Sequence, residues 1–254
     1  MRIGIAGIAG RMGQLLAEEV AAAGGTLAGG TVGASRPAPA GTTVFADAAA
    51  MFAGCDVVID FTHADAATEH ARLAAQSGTA LILGSSGLSS VAEAAVAQSA
   101  TRTAIVYAAN FAPGVNLLFA LAERMAAALP GAQYDAEIVE MHHRQKVDAP
   151  SGTAVALGRA VARGRGTTME AAGIESGRDG HVGARKPGAI GFSAIRGGQV
   201  VGEHTLIFAA GSEHIALTHR SFDRRVYATG AVRAALWTAG RGPGLFSMAD
   251  VLQG

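Results

Sequence analysis

The chain opens with a strand that ends on glycine. Arg2 to Ala6 runs into Gly7-Ile-Ala-Gly10-Arg-Met-Gly13, and Met12, Leu15, Leu16 and Val20 then recur at helical spacing. No other stretch constrains the fold as much. Small residues let the backbone approach a pyrophosphate, and the helix start behind them offers N–H donors and a favourable dipole. A tight turn that binds nothing can use the same glycines, so the strand-turn-helix context carries the reading.

The first half of the chain repeats this grammar. Asp56-Val-Val-Ile-Asp60 is a strand ending in Phe61-Thr62, followed by a helix over Asp65 to Gln76. Ala80 to Gly84 is another strand, ending in Ser85-Ser86-Gly87, and Ser90 and Glu93 have capping-box spacing for the next helix. Thr103 to Ala108 is a further strand and ends in Ala109-Asn110-Phe111. Alternating strands and helices predict a parallel sheet, with these loops bordering one crevice at the carboxyl ends of the strands. An acid is expected after the second strand, Thr26 to Val32, to hold ribose hydroxyls, but the sequence there reads Gly33-Ala-Ser35-Arg36. A guanidinium at Arg36 suits the additional phosphate of NADP, and an ordinary surface arginine explains it equally well. The expected cofactor is therefore NADPH, NADH or both.

Beyond Pro113-Gly114 the pattern changes. A helix carrying Leu117, Leu118, Leu121, Met125 and Leu129 leads to an alternating stretch, Tyr134 to Met141, and Thr153 to Arg163 reads as helix. Gly164 to Gly188 is glycine-rich and aperiodic, and is expected to be a long loop. Ile190 to Arg196, Val200 to Phe208 and His214 to His219 read as an antiparallel meander joined by Gly197-Gly198 and Gly211-Ser212, and Gly230 to Ala239 as a helix. The expected fold is an α/β Rossmann-type nucleotide-binding domain of residues 1–112 with 224–254. An inserted α+β domain of residues 113–223, on a mixed and largely antiparallel sheet, completes it. A crevice between two such domains suits hydride transfer, which needs water excluded.

The chemistry concentrates at Met141 to Thr153. His142, His143, Arg144 and Lys146 are followed by Asp148, Pro150 and then Ser151-Gly152-Thr153 at a helix start. Folding alone has no need of two imidazoles beside an ammonium. The set suits a small anionic substrate, because imidazole changes charge near neutral pH and can deliver a proton while the other cations hold carboxylates. A solvated basic loop is the plainer explanation. A metal held by His142 and His143 is rejected, since neighbours on a strand point to opposite faces. His63 and His70 read as surface or edge groups, and His204, His214 and His219 as hydrogen-bonded structural histidines.

Composition narrows the partners. The 254 residues are half hydrophobic, and 20 Lys+Arg balance 20 Asp+Glu, so no global basic field collects nucleic acid or acidic membrane. The single Cys55 excludes an internal disulfide and a cysteine-built zinc site. The amino terminus enters a strand directly, with no signal-peptide pattern, and no apolar run approaches the ~20 residues of a membrane span. A cytoplasmic protein is expected, with neither nucleic acid nor membrane as partner.

The Gly7 to Gly13 turn, Asp60-Phe-Thr62, Gly84-Ser-Ser-Gly87, Ala108-Ala-Asn-Phe111, Gly114-Val-Asn116 and above all His142-His-Arg-x-Lys-x-Asp-Ala-Pro-Ser-Gly-Thr153 resemble the dihydrodipicolinate reductase family. Gly188-x-Ile-Gly-Phe192, Gly202-Glu-His-Thr205 and Gly230 to Trp237 extend the resemblance over nearly the whole chain. It implies a 4-hydroxy-tetrahydrodipicolinate reductase that uses NAD(P)H on a cyclic dicarboxylate in diaminopimelate and lysine synthesis, as a homotetramer. It also implies catalytic roles for His142 and Lys146, and substrate contacts at His143, Gly152, Thr153 and Arg224. Cofactor contacts fall on Gly7, Ile8, Ala9, Gly10, Arg11, Met12, Gly84, Ser85, Ser86, Ala108, Ala109, Asn110 and Phe111. The sequence departs from the family in lacking the acid after the second strand, in serines for threonines at Ser85-Ser86, and in Ala112. Two other readings stand beside it. One is a dehydrogenase of aspartate or homoserine type; the other is an NADP-sensing regulator without turnover, which has no use for His142, Lys146 and Ser151 to Thr153 together.

Overall fold

Short runs of valine, isoleucine and leucine bounded by glycine or polar turns form strands buried on both faces, and alanine-rich segments form the helices that cover them. The computed structural model describes residues 1–33, 37–85 and 87–253. In chain order its elements begin with β1 (Arg2–Ala6), α1 (Arg11–Ala22), β2 (Thr26–Gly30), α2 (Ala48–Gly54) and β3 (Val57–Asp60). Next come α3 (Ala64–Ser77), β4 (Ala80–Leu83), α4 (Ser90–Ala100), β5 (Ala104–Tyr107) and α5 (Pro113–Ala128). The middle holds β6 (Asp135–His142), α6 (Gly152–Gly164), α7 (Met169–Ala172), β7 (Ile174–Ser176), β8 (Ile190–Arg196), β9 (Gly202–Ala209) and β10 (His214–Ser221). The end is α8 (Arg225–Trp237), β11 (Gly244–Phe246) and α9 (Met248–Gln253). These elements form two units, Met1–Pro113 with Arg224–Gly254, and Gly114–Asp223.

In the first unit the described strands pair in the order β11-β5-β4-β3-β1-β2, all parallel. Parallel strands require crossovers, and the crossover helices bury both faces. Ile3, Ile5, Ile59, Ile82 and Val106 pack with Leu16 and Val20 of α1 and Ala231 and Ala235 of α8. Their alternate neighbours Val58, Leu81, Leu83 and Ile105 pack with Phe52, Ala71, Ala74 and Val96 on the other face. The chain steps from β1 to β2 on one side and returns to β3 on the other. That reversal leaves a crevice at the carboxyl ends of β1 and β3, the place where doubly wound sheets bind ligands.

In the second unit the order is β10-β9-β6-β8-β7. β6 alternates strictly between buried and half-buried residues. Its inward residues Ala136 and Ile138 join Phe192, Leu206 and Phe208 against Leu118 and Ala122 of α5 and Leu157 and Val161 of α6.

Three expectations are corrected here. The meander fails at its first turn, because β8 and β9 do not pair; both flank β6, β9 antiparallel and β8 parallel to it. The connection after β8 is long enough to cross β6, and Gly197 N–H donates to the His142 carbonyl at 3.0 Å as it passes. With β7 also parallel to β8, the sheet is evenly mixed among the described strands and not largely antiparallel. The expected loop after α6 contains α7, capped by the Thr168 hydroxyl accepting from Ala171 N–H at 3.2 Å, and the edge strand β7. Among the described residues no helix is long and apolar enough to cross a membrane.

Candidate active site

Two groups of candidate residues emerge, one in each unit. In the first unit, β1 ends in Gly7 at φ 69, a left-handed conformation that favours glycine. Gly10 N–H donates to the Gly7 carbonyl at 2.9 Å, and α1 then starts with no side-chain cap and no acid in its first turn. A Cβ on Gly13 would collide with the Gly7 carbonyl and the Ile8 backbone, so glycine allows α1 to close on the strand. Above the turn lies a cleft of about 440 Å³ lined by Gly7, Ala9, Gly10, Arg11 and Met12, with Phe61, Thr62 and Arg224 in its walls. The sequence reading associates Arg224 with the substrate; the structure sets it beside this glycine turn.

The loops after β3, β4 and β5 are locked together next to this cleft. Asp60 is fully buried and accepts from Thr62 N–H at 2.7 Å and from the Thr62 hydroxyl at 2.6 Å. Its other oxygen lies 2.6 Å from His70 Nδ1. His70 is therefore no surface group, as its helical position suggests, but the partner of a buried acid, with its side chain 12% exposed. The Phe61 ring contacts Phe111 with centroids 5.3 Å apart. It also fills the space beside Gly84, where a Cβ would collide with it. Ser85 is buried, and its hydroxyl has no hydrogen-bond partner among the described residues. Asn110 Oδ1 accepts from Ala112 N–H at 2.8 Å and shapes the turn after β5. Ile8 and Phe111 bury their side chains in the core, which leaves only their backbone to face a ligand. Ser35, Arg36 and Ser86 lie outside the described residues.

In the second unit the cationic stretch follows directly from β6. Glu140 and His142 project from its core-facing side, and His142 Nδ1 lies 2.6 Å from Glu140 Oε2. Arg196 of β8 grips both oxygens of Glu140, at 2.8 and 2.7 Å, and Ser151 N–H donates to Oε1 at 3.1 Å. Burial raises the Glu140 pKa, but the hydrogen bonds from Arg196, His142 and the Ser151 backbone outweigh it and the carboxyl ends below its ordinary value. Burial lowers the His142 pKa, Glu140 opposes that, and Lys146 and Arg196 assist it, so the imidazole gives up its proton more readily than usual. His142 Nε2 faces Gly202, where a Cβ would stand 3.0 Å away.

Ser151 caps α6, its hydroxyl accepting from Ala154 N–H at 3.2 Å, so Gly152 and Thr153 occupy the first turn. No atom would touch a Cβ on Gly152, which leaves its backbone accessible. The chain turns tightly between His142 and this helix, Lys146 N–H donating to the His143 carbonyl at 3.1 Å. Lys146 Nζ donates to both oxygens of Asp148, at 2.8 and 2.9 Å, and holds that carboxyl below its ordinary pKa. His143 Nδ1 is buried without a partner among the described residues. His142, His143, Lys146, Gly152 and Thr153 thus belong to one continuous turn between β6 and α6. The sequence reading gives neither Glu140 nor Arg196 a place in the site; the only signal for the first is an acid at an inward position of an alternating strand.

Comparison with known proteins bears on both groups. The model for "Dihydrodipicolinate reductase, N-terminus" matches residues 1–111, and that for "Dihydrodipicolinate reductase, C-terminus" matches residues 114–252. The chain is 65% identical to a 4-hydroxy-tetrahydrodipicolinate reductase of Granulibacter bethesdensis, over 99% of this chain and 97% of the relative. It is 59% identical to the same-named protein of Gluconacetobacter diazotrophicus, with the same coverage. Its fold is similar to that of a dipicolinate-bound dihydrodipicolinate reductase from Paenisporosarcina sp. TG-14, with a TM-score of 0.79 at 24% identity over 97% of each chain.

Proposed function

The chain belongs to the dihydrodipicolinate reductase family, and we propose that it reduces 4-hydroxy-tetrahydrodipicolinate to tetrahydrodipicolinate with NAD(P)H, a step toward diaminopimelate and lysine. The observation that carries this reading is His142: its Nδ1 is taken by the buried Glu140, and Nε2 is left as the nitrogen that exchanges a proton.

The first unit fits a dinucleotide. Its α1 start is uncapped, has no acid in the first turn, and sits behind a glycine turn that a Cβ at Gly13 would block. Gly7 to Met12, Gly84 to Ser86 and Ala108 to Phe111 would hold the dinucleotide, with backbone contacts only at Ile8 and Phe111. The buried Ser85 hydroxyl is a donor in need of an acceptor. The 4-hydroxyl leaves with a ring hydrogen as water, and the reduced nicotinamide, when bound, would supply a hydride to a carbon of the unsaturated ring that remains. The chain's own residues do the rest. His142 delivers the compensating proton from Nε2, and Lys146 is the second proton donor beside the charge that develops. The first turn of α6, at Gly152 and Thr153, receives one carboxylate, His143 contacts the ring, and Arg224 adds a cation.

The finer assignments follow from this reading. Residues 1–112 with 224–254 are the nucleotide domain, and residues 113–223, inserted between them, bind substrate and form subunit contacts. NADPH serves at least as well as NADH, since Ser35-Arg36 stands where an acid would repel the added phosphate. The sheet face turned away from α5 and α6 carries Ile195 at 46% exposure, and a homotetramer would cover it. The one cysteine and the balanced charge suit the cytoplasm. Oxidation of reduced nicotinamide in the presence and absence of the heterocyclic substrate tests the function. Oxidation that requires the substrate is the expected result, and nucleotide binding without turnover would overturn it.

A further inference from the structure

Glu140 stands between Ile138 and His142 on the core-facing side of β6 and is 1% exposed. Its oxygens accept four hydrogen bonds: Oε2 from His142 Nδ1 and Arg196 Nη1, Oε1 from Arg196 Nη2 and Ser151 N–H. An ionised carboxylate offers about four acceptor sites, so this one is saturated. Three elements meet on it: β6 with the histidine, β8 with the arginine, and the start of α6. Arg196 also donates to the Asp148 carbonyl at 2.6 Å, which extends the same network along the turn.

We infer that Glu140 is a positioning residue for the proton transfer, fixing which nitrogen of His142 carries the standing proton and tying that choice to the first turn of α6. The inference rests on the assignment of His142 as proton donor. A carboxylate only accepts, so the proton between Glu140 and the ring resides on Nδ1 and the exchangeable position is Nε2. The other charged or titratable groups facing the ring are Lys146 of the turn, Arg196 of β8 and His204 of β9. The first two disfavour a positive imidazole, and His204, its own pKa lowered by burial to about 4, stays neutral. Among the described residues, Glu140 is the acid that offsets these cations at the ring.

The isosteric substitution Glu140→Gln separates geometry from charge. With its carbonyl in place of Oε1, glutamine keeps the bonds from Ser151 N–H and Arg196 Nη2, and its amide faces Arg196 Nη1 and His142 Nδ1. The reverse orientation sets the amide against two fixed donors and is disfavoured. The ring must then accept at Nδ1 and carry its proton on Nε2.

Nitrogen-15 NMR of labelled histidine, pH profiles of kcat, and nucleotide binding in wild type, Glu140→Gln and His142→Gln test this. In the wild type above the His142 pKa, the proton is expected on Nδ1; in Glu140→Gln it moves to Nε2. The same variant lowers kcat by ~100-fold or more and leaves the nucleotide Kd within about threefold of wild type. It also moves the alkaline fall of kcat to lower pH, because the imidazolium has lost its counter-charge. A wild-type proton on Nε2 would overturn the inference even if Glu140→Gln does not fold. So would a Glu140→Gln enzyme that turns over within about threefold of wild type while His142→Gln is crippled. If His142→Gln itself keeps its turnover, the assignment of His142 falls first, and this inference falls with it.

Discussion

His204 Nε2 lies 3.0 Å from the Ser151 hydroxyl that starts α6. Burial, with His142 nearby acting in the same direction, lowers the His204 pKa from the ordinary 6.5 to about 4. The unfolded chain therefore binds a proton on His204 at a higher pH than the folded chain does. Its contribution to stability is complete above about pH 6.5 and is lost as the pH falls toward 4, an amount of about 3 kcal/mol at ~1.4 kcal/mol per pH unit. Glu140 and Asp148, held below their ordinary values, lose their contributions only at lower pH. Denaturant unfolding between pH 7 and pH 4 should show this slope in the wild type and a shallower one in His204→Gln. Equal slopes would mean that His204 titrates alike in both states.

His142→Gln should reduce turnover far more than it weakens substrate binding. A proton donor acts on the transition state, and general acid catalysis contributes ~100- to 10,000-fold. Steady-state kinetics with a separate measurement of inhibitor affinity check it. Unchanged kcat would remove His142 from the chemistry.

At Gly84 the Phe61 ring occupies the place of a side chain. Gly84→Ala pushes Phe61 against Phe111 and displaces the loops beside the nucleotide cleft, at a cost of ~1–3 kcal/mol for overpacking. Its melting temperature should fall and nucleotide affinity should weaken. Adding Phe61→Leu should recover part of the stability, and a double-mutant cycle measures the coupling. Strictly additive effects would show that the two residues do not meet as described.

These residues show what a sequence makes legible. β1, Gly7 and α1 are visible because every signal is local: alternation, then glycine, then helical spacing. α2 escapes because the chain from Ala48 to Gly54 carries only Met51 and Phe52 as large apolar residues, although Asp47 caps it by accepting from Ala50 N–H at 2.8 Å. The parallel pairing of β8 with β6 is invisible for another reason. Alternation tells which face a residue takes, not which strand lies beside it. Glu140 shows both limits. Its inward position follows from the alternation of β6, but Arg196, its partner 56 residues away, appears only when the sheet is assembled. His142 and Lys146 stand out at once, since cations and turn residues crowd into one short segment, while Arg196, which holds Glu140 beside His142, comes from another strand.

The last prediction concerns Lys146, whose ammonium donates to both oxygens of Asp148 while Asp148 is 55% exposed. A dicarboxylate that binds at the turn must have both anionic groups desolvated, which is costly unless each meets charge-assisted donors. The first turn of α6 can serve one carboxylate. Lys146 can serve the other by exchanging Asp148, a carboxylate already half in solvent, for the ligand's. Because one ion pair replaces another, the net worth of Lys146 is that of a hydrogen bond to a charged group, ~1.5–3 kcal/mol, and not that of a bare buried charge. Lys146→Ala should therefore weaken pyridine-dicarboxylate, a flat analogue with the same two charges, by ~10- to 150-fold. The matching pyridine-monocarboxylate should bind much more weakly to the wild type and change little in the variant. Competition kinetics with both compounds decide it. A dicarboxylate indifferent to Lys146→Ala, or equal inhibition by the two compounds, would show that the turn from His142 to Thr153 does not clamp the substrate.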